Sequence, residues 1–283
     1  YFRTLQDLEK AITAYERAVA IDSRYPRFFI ELDRLYERNG TEIDKRNQLI
    51  LKHRTTLAQH SSALVREALV ANAAKDYDRS INVLTQNYFN RQEGRSGLHD
   101  IYVDACLLKA KALMKEKKWQ LALESLEAAD LYPENQSIGR DQESERRAQI
   151  FFYRGFLANQ MGKADEASSW FKKALEIKVD EPEYAFQQAL ALQNLGKQEE
   201  AAKVVDNLEQ MGQRLLEEER SVDFFSKFGG EESMRLRKAK ANYLLGLSAH
   251  WQADPQAASA YYQKALDWNP GHAWARSMLS EVQ

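Results

Sequence analysis

Residues 161–175 read MGKADEASSWFKKAL, and residues 195–202 read LGKQEEAA. Each stretch begins with an apolar residue, glycine and lysine, and acidic residues and alanine follow. Gly162 and Gly196 are 34 positions apart, and so are Ala167 and Ala201. A fixed period of this size is the signature of a repeat protein, in which each unit packs only on its neighbours. The chain is therefore predicted to be an array of similar units.

A further copy of the pattern lies near the end of the chain, where residues 257–270 read AASAYYQKALDWNP. With the 34-residue period, these stretches resemble the tetratricopeptide repeat family. The resemblance implies an all-α solenoid, in which each repeat pairs a helix A with a helix B. It also implies that successive pairs stack into a right-handed superhelix.

Two positions of the 34-residue repeat should hold small residues, because helices A and B approach each other most closely there. Position 8, on helix A, is assigned to Asp33, Ala68, Ala110, Gly155, Ala189 and Gly246. Position 20, on helix B, is assigned to Ala11, Lys45, Ser80, Ala122, Ala167, Ala201 and Ala258. The unit that contains Asp33 and Lys45 therefore departs most from the expected pattern.

The whole chain is predicted to be one solenoid, and the prolines agree with its register. Pro26 and Pro182 fall at position 1 of a repeat, where a helix tolerates proline. Tyr1 falls in the middle of a helix A, so the chain is expected to be a fragment of a larger protein. The predicted units are a half repeat 1–25, repeats 26–59, 61–94, 103–136, 148–181, 182–215 and 239–272, and a C-terminal capping helix 273–283.

The inner, concave face of the solenoid is the first candidate binding site. Aromatic rings there would bury apolar area, and amides would pair with a peptide backbone. The alternative is that a tightly wound array buries these residues against its own next turn. The predicted groove residues are Phe152, Phe156, Asn159, Phe186, Asn194, Tyr243, His250 and Trp251.

Insertions between repeats form the second candidate site, because all of them follow a helix B and should lie along one rim. The first two insertions are residues 89–97 and 132–140, and a third spans 216–238. The predicted rim-loop residues are Arg91, Glu93, Tyr132 and Asn135. Arginine and asparagine would suit a carboxylate or a sugar hydroxyl, and Tyr132 would offer a stacking face. The alternative is that these loops are ordinary connections.

A narrower resemblance rests on short motifs in the same regions. Residues 31–36 read ELDRLY, Phe89 is followed by a Glu-Gly pair, residues 132–135 read YPEN, and residues 243–247 read YLLGL. The order of these motifs resembles the C-terminal repeat region of bacterial DUF5107 proteins. That resemblance implies an N-terminal β-sandwich domain elsewhere in the parent protein and a sugar-related context. Residues 90–92 depart from the aromatic, glycine-richer loop of that family.

Composition and motifs exclude several functional classes. The chain has 40 Lys and Arg against 42 Asp and Glu, so it has no general electrostatic attraction for nucleic acid. No apolar run approaches the ~20 residues of a membrane span. The single cysteine, Cys106, cannot form a disulfide within the chain or a zinc cluster. Metal-protease, phosphate-loop and nucleophile-elbow motifs are also missing.

The sequence thus predicts a non-catalytic interaction or scaffolding module without a cofactor or a metal. The expected partner is a peptide, a helix or the module's own parent domain, bound through the groove or the rim. The alternative is an accessory domain of a carbohydrate-active bacterial protein that contacts glycan. Nucleic acid and membrane are not expected as partners, and the compartment, cytoplasm or periplasm, stays open.

Overall fold

The computed structural model describes residues 7–89, 97–139, 141, 144–217 and 230–283. In these residues it contains α-helices, one short 3-10 turn at Glu134–Gln136 and no strand, which confirms the predicted all-α class. The helices are α1 Leu8–Ile21, α2 Pro26–Arg38, α3 Ile43–Lys52, α4 Arg54–Leu57, α5 Ser61–Ala73, α6 Tyr77–Gln86, α7 Leu98–Lys115, α8 Trp119–Ala129, α9 Arg146–Gln160, α10 Ala164–Glu176, α11 Pro182–Asn194, α12 Gln198–Glu217, α13 Gly230–Trp251, α14 Pro255–Trp268 and α15 Ala273–Val282.

Helix starts follow ordinary capping chemistry. Pro26 and Pro182 occupy the first turns of α2 and α11. The missing backbone N–H of proline costs nothing there, because the first turn has no acceptor for it. Asp7 accepts a hydrogen bond from the backbone N–H of Lys10 at 3.0 Å. Asp76 does the same for Arg79 at the start of α6.

The turn inside each helical hairpin is left-handed at one residue, two positions after the first helix ends. Glycine supplies this conformation at Gly40, Gly162 and Gly196, with φ of 69°, 75° and 77°. Three other hairpins have the same turn without glycine, at Lys75, Lys117 and Ala253. The hairpin geometry is therefore shared by units whose turn sequences differ.

The chain folds as two compact units. The first comprises the described parts of Tyr1–Ala105, Pro133–Ile138 and Asp267–Ala273. The second comprises the described parts of Cys106–Tyr132, Gly139–Leu266 and Trp274–Gln283. In the second unit, consecutive helices from α8 to α13 pack against one another, as expected for stacked hairpins.

In the α2–α3 hairpin, the buried residue of the second helix lies one position after the residue that the sequence assignment gave. In α1, α6, α8, α10, α12 and α14, the buried small residue lies three positions after the helix begins. The corresponding residue of α3 is Arg46, which is buried, whereas Lys45 is exposed. The assignment of position 20 to Lys45 was therefore wrong. The cause is the turn after Gly40, which is one residue longer than the turns of the other hairpins.

Arg46 and Asp33 replace the usual pair of small residues with a buried ion pair. Both are 1% exposed, and Arg46 Nε donates to Asp33 Oδ1 at 2.8 Å. Arg66 Nε donates to the other oxygen of Asp33 at 2.6 Å. Both arginines also donate to Glu37, at 3.0 Å each. Burial raises the pKa of Asp33, but Arg66 and Arg46 outweigh it and hold that pKa below its usual value.

Candidate functional site

Three of the predicted groove aromatics are packed inside the second unit. Phe152, Phe186 and Tyr243 are all buried. The ring of Phe152 lies 5.9 Å from that of Phe171, and the ring of Tyr243 lies 6.0 Å from that of Tyr262. These rings therefore fill the space between helices and present no open stacking surface.

The other five predicted groove residues retain some exposure. Asn159 and Asn194 are exposed, and Phe156, His250 and Trp251 are partly exposed. Asn194 already donates its amide to the carbonyl of Leu190 in the preceding turn of α11. Burial lowers the pKa of His250, so its ring favours the neutral form at neutral pH.

A surface on α7 and α9 holds the C-terminal helix, α15. We call this surface the helix-docking face and define it by Lys111, Lys115 and Tyr153. The ring of Trp274 stacks on that of Tyr153, with a centroid separation of 6.2 Å and an interplanar angle of 22°. Lys111 Nζ lies 5.4 Å from the centroid of the Trp274 ring, which is within cation–π range. The indole is therefore held on one side by an aromatic ring and approached by a cation.

Further along α15, the helix-docking face becomes polar. Lys111 Nζ lies 3.4 Å from Met278 Sδ and 3.0 Å from Glu281 Oε1. Lys115 Nζ reaches the same Glu281 oxygen at 3.2 Å. Burial raises the pKa of Glu281, but the two lysines outweigh it and lower that pKa overall. The carboxylate thus stays ionised and paired on a mostly covered surface.

The three contacts define one face of α15. Trp274, Met278 and Glu281 follow one another at spacings of four and three residues, which places them on the same side of a helix. An amphipathic helix that docks into a groove uses such a pattern. Sequence reasoning missed this face, although Lys111 was a visible signal. It directly follows the position-8 residue Ala110, and four of the other five repeats have an apolar residue there, namely Leu69, Phe156, Leu190 and Leu247.

Near the end of α15, burial shifts the pKa values of two tyrosines and a histidine. Burial, and then the charge of Glu281, raise the pKa of the Tyr153 and Tyr262 phenols. Among the described residues, the Tyr262 hydroxyl and His250 Nδ1 have no hydrogen-bond partner. The negative charge of Glu281 opposes the depression of the His250 pKa, and Lys111 adds to it. Lys111 and Glu281 thus act on this polar region as well as on each other.

The predicted rim residues do not all lie in the described part of the chain. Arg91 and Glu93 fall outside it. Asn135 donates its amide to the carbonyls of Leu84 and Asn87, at 2.8 and 2.6 Å. The carbonyl of Asn135 accepts from the backbone N–H of Phe89 at 2.8 Å. Asn135 is therefore engaged in holding the 3-10 turn against the end of α6.

Tyr132, the remaining predicted rim residue, is partly exposed. Its hydroxyl lies 3.3 Å from the carbonyl oxygen of Asp141, to which it donates a hydrogen bond. This bond links the first residue of the second insertion to the residue that directly follows the insertion. The third insertion lies mostly outside the described residues, including its phenylalanines.

Within the described residues, no group of three or more histidine, cysteine, aspartate or glutamate side chains could hold a metal ion. The helices of the same part of the chain include none that is both long and apolar enough to cross a membrane.

The repeated hairpins and their left-handed turns define an all-α helical-repeat protein. The family model for the tetratricopeptide repeat matches three segments of the chain, residues 1–25, 148–179 and 239–272. These matches support the tetratricopeptide repeat family for this chain.

Solved structures that this chain matches include two tetratricopeptide repeat proteins. One is a repeat protein from Parabacteroides merdae, at 12% identity and a TM-score of 0.45, with 99% of this chain and 94% of that chain covered. The other is the C-terminal part of a repeat-containing protein from Cytophaga hutchinsonii, at 14% identity and a TM-score of 0.42, with 98% and 96% covered. At this level of similarity, neither structure transfers a partner or a site to this chain.

Proposed function

We propose that this chain is a non-catalytic protein-interaction module that binds an amphipathic helix on the helix-docking face of its second unit. The observation that carries the proposal is that α15 packs on that face. An aromatic stack, a methionine contact and a paired carboxylate hold a helix there. These are the kinds of contact by which helical partners are recognised in grooves.

The partner chemistry follows from the face of α15. A competing helix would present an aromatic residue, an apolar residue four positions later and an acid three positions after that. Phe156, Asn159, Asn194, His250 and Trp251 are proposed as further contacts, because they keep some exposure. A partner from the parent chain, such as the β-sandwich domain that the DUF5107 resemblance implies, is one source of such a segment.

The glycan alternative is less well supported. Sugar binding uses the flat faces of exposed aromatic rings beside polar groups. Phe152, Phe186 and Tyr243 are buried and offer no such face, and the hydroxyl of the partly exposed Tyr132 already donates to the carbonyl of Asp141. Asn135 has both of its amide hydrogen bonds inside the fold. We therefore favour a protein segment as the partner.

Supplying the C-terminal helix in trans tests this function. A fluorescent peptide of residues 271–283 should bind the full chain that carries Trp274→Ala, because the weakened internal helix leaves the face available. We expect the wild-type chain to bind the peptide at least about ten-fold more weakly, since its own helix competes. Fluorescence anisotropy gives both dissociation constants.

A charge reversal on the docking face provides the specificity control. Adding Lys111→Glu to the Trp274→Ala chain should weaken the binding, because Glu281 of the peptide then meets a like charge. The exposed Lys203 lies on α12 of the same unit, so Lys203→Glu is the matched control and should change little. If all these chains bind the peptide equally, or none binds it, the proposed function is wrong.

A further inference from the structure

The first unit contains a small cavity that the helix-docking face does not use. Its volume is about 340 Å³, which is at the lower end of the range for small-molecule sites. The one-turn helix α4 forms one wall, and α5 and the end of α6 form the others. The residues that line it are Arg54, Thr55, Ala58, Leu64, Glu67, Val83 and Asn87.

Glu67 is the unusual member of this lining. Its side chain is 0% exposed, and its Oε1 lies 2.9 Å from Arg54 Nε. Its Oε2 has no hydrogen-bond partner among the described residues. Burial raises the pKa of Glu67, although the nearby Arg54 and Arg79 oppose the rise. A buried carboxylate oxygen without a donor is costly, so a ligand that brings a donor would gain free energy there.

Arg54 and Glu67 together present two opposite charges to a ligand. The side chain of Arg54 is 51% exposed, so it forms the outer half of the pair and can move to admit a ligand. A simple cation that reached Glu67 would be repelled by Arg54, and a simple anion at Arg54 would be repelled by Glu67. A zwitterion satisfies both groups, because its positive end can face Glu67 while its negative end faces Arg54.

The rest of the lining adds an apolar requirement. Ala58, Leu64 and Val83 offer hydrocarbon surface, and the volume admits only a small molecule. We propose that this cavity binds a small zwitterion with an apolar side chain, that is, an apolar α-amino acid. Its ammonium group donates to Glu67, its carboxylate pairs with Arg54, and its side chain packs on Leu64 and Val83.

The test uses the full chain and L-leucine as the probe. Carbon-labelled methyl groups of Leu64 and Val83 report binding directly by nuclear magnetic resonance. We expect saturable shifts of these methyl signals with leucine. N-acetylleucine, which lacks the ammonium, and leucinamide, which lacks the carboxylate, should each bind at least about ten-fold more weakly. These comparisons use the unchanged protein and so do not depend on the folding of a variant.

A matched pair of variants tests the residue assignment. Glu67→Gln keeps the shape of the side chain and removes its charge, so leucine affinity should fall by at least about ten-fold. Glu127→Gln removes an exposed charge on α8 and should leave affinity unchanged. The proposal is overturned if leucine causes no saturable shift, if N-acetylleucine or leucinamide binds as well as leucine, or if Glu67→Gln binds leucine normally.

Discussion

Asp33→Ala is expected to lower the free energy of unfolding by about 3–5 kcal/mol, because it leaves the buried Arg46 without its main partner. Arg66 also loses a carboxylate at 2.6 Å. Glu37 remains near both arginines, but it is partly exposed and so cannot fully replace the buried Asp33. Urea or thermal unfolding of the two chains measures the difference.

Lys45→Ala is the control for this prediction. Lys45 adjoins Arg46 in α3 but is exposed, and its ion pair with Glu16 is open to solvent. Exposed pairs of this kind contribute about 0–1 kcal/mol. A larger loss from Lys45→Ala than from Asp33→Ala would restore the original sequence assignment and contradict the structure.

The same pair has a defined pH dependence. The pKa of Asp33 is lower in the folded chain than in the unfolded chain. Its contribution to stability is therefore complete above the unfolded pKa, roughly pH 4, and is lost as the pH falls through the folded value. The stability difference between wild type and Asp33→Ala should accordingly be constant near neutrality and shrink in acid.

Trp274→Ala is the second large change, because it removes the ring that stacks on Tyr153. Large-to-small substitutions of a buried tryptophan cost about 3–5 kcal/mol. Since the stack on Tyr153 and the pairing of Glu281 with two lysines hold α15 on α7 and α9, we expect the loss to appear as local release of residues 274–282. Hydrogen exchange of the backbone amides in that segment should accelerate on the order of 100-fold.

Ser280→Ala is the matched substitution for this experiment, because Ser280 lies on the same helix and is exposed. It should leave the exchange of α15 nearly unchanged. Equal acceleration in both variants would mean that α15 frays on its own and is not held by its tryptophan. Unchanged exchange in Trp274→Ala would mean that the stack contributes little.

Periodicity was sufficient to predict an all-α chain and most of the small residues that its helices bury. Small residues such as Ala167 and Ala201 recur at a fixed spacing, and both are buried. The buried residue of α3 was assigned wrongly for two local reasons. Its turn is one residue longer, and it replaces small residues with Asp33 and Arg46. A spacing argument cannot anticipate a charged pair at a position that normally requires alanine.

The candidate site was less predictable, because its contacts join distant parts of the chain. Lys111 and Glu281 belong to helices that no repeat spacing relates, so no local pattern links them. The aromatic residues of the predicted groove were recognised as apolar and inward-facing. Whether they were open or covered depended on how the helices pack on one another, which the sequence pattern leaves undetermined. In the structure, Phe152, Phe186 and Tyr243 are buried.

Zero-length cross-linking of the wild-type chain with a carbodiimide, read by mass spectrometry, most directly tests whether α15 occupies the helix-docking face. Glu281 lies 3.0 Å from Lys111 and 3.2 Å from Lys115, so amide bonds to these lysines are expected. The pair Lys45 and Glu16, also 3.0 Å apart on two different helices, is the positive control. Links from Glu281 to Lys111 or Lys115 within a monomer are the predicted result. Cross-linking of the control pair without any link to Glu281 would contradict the docked helix and, with it, the proposed binding face.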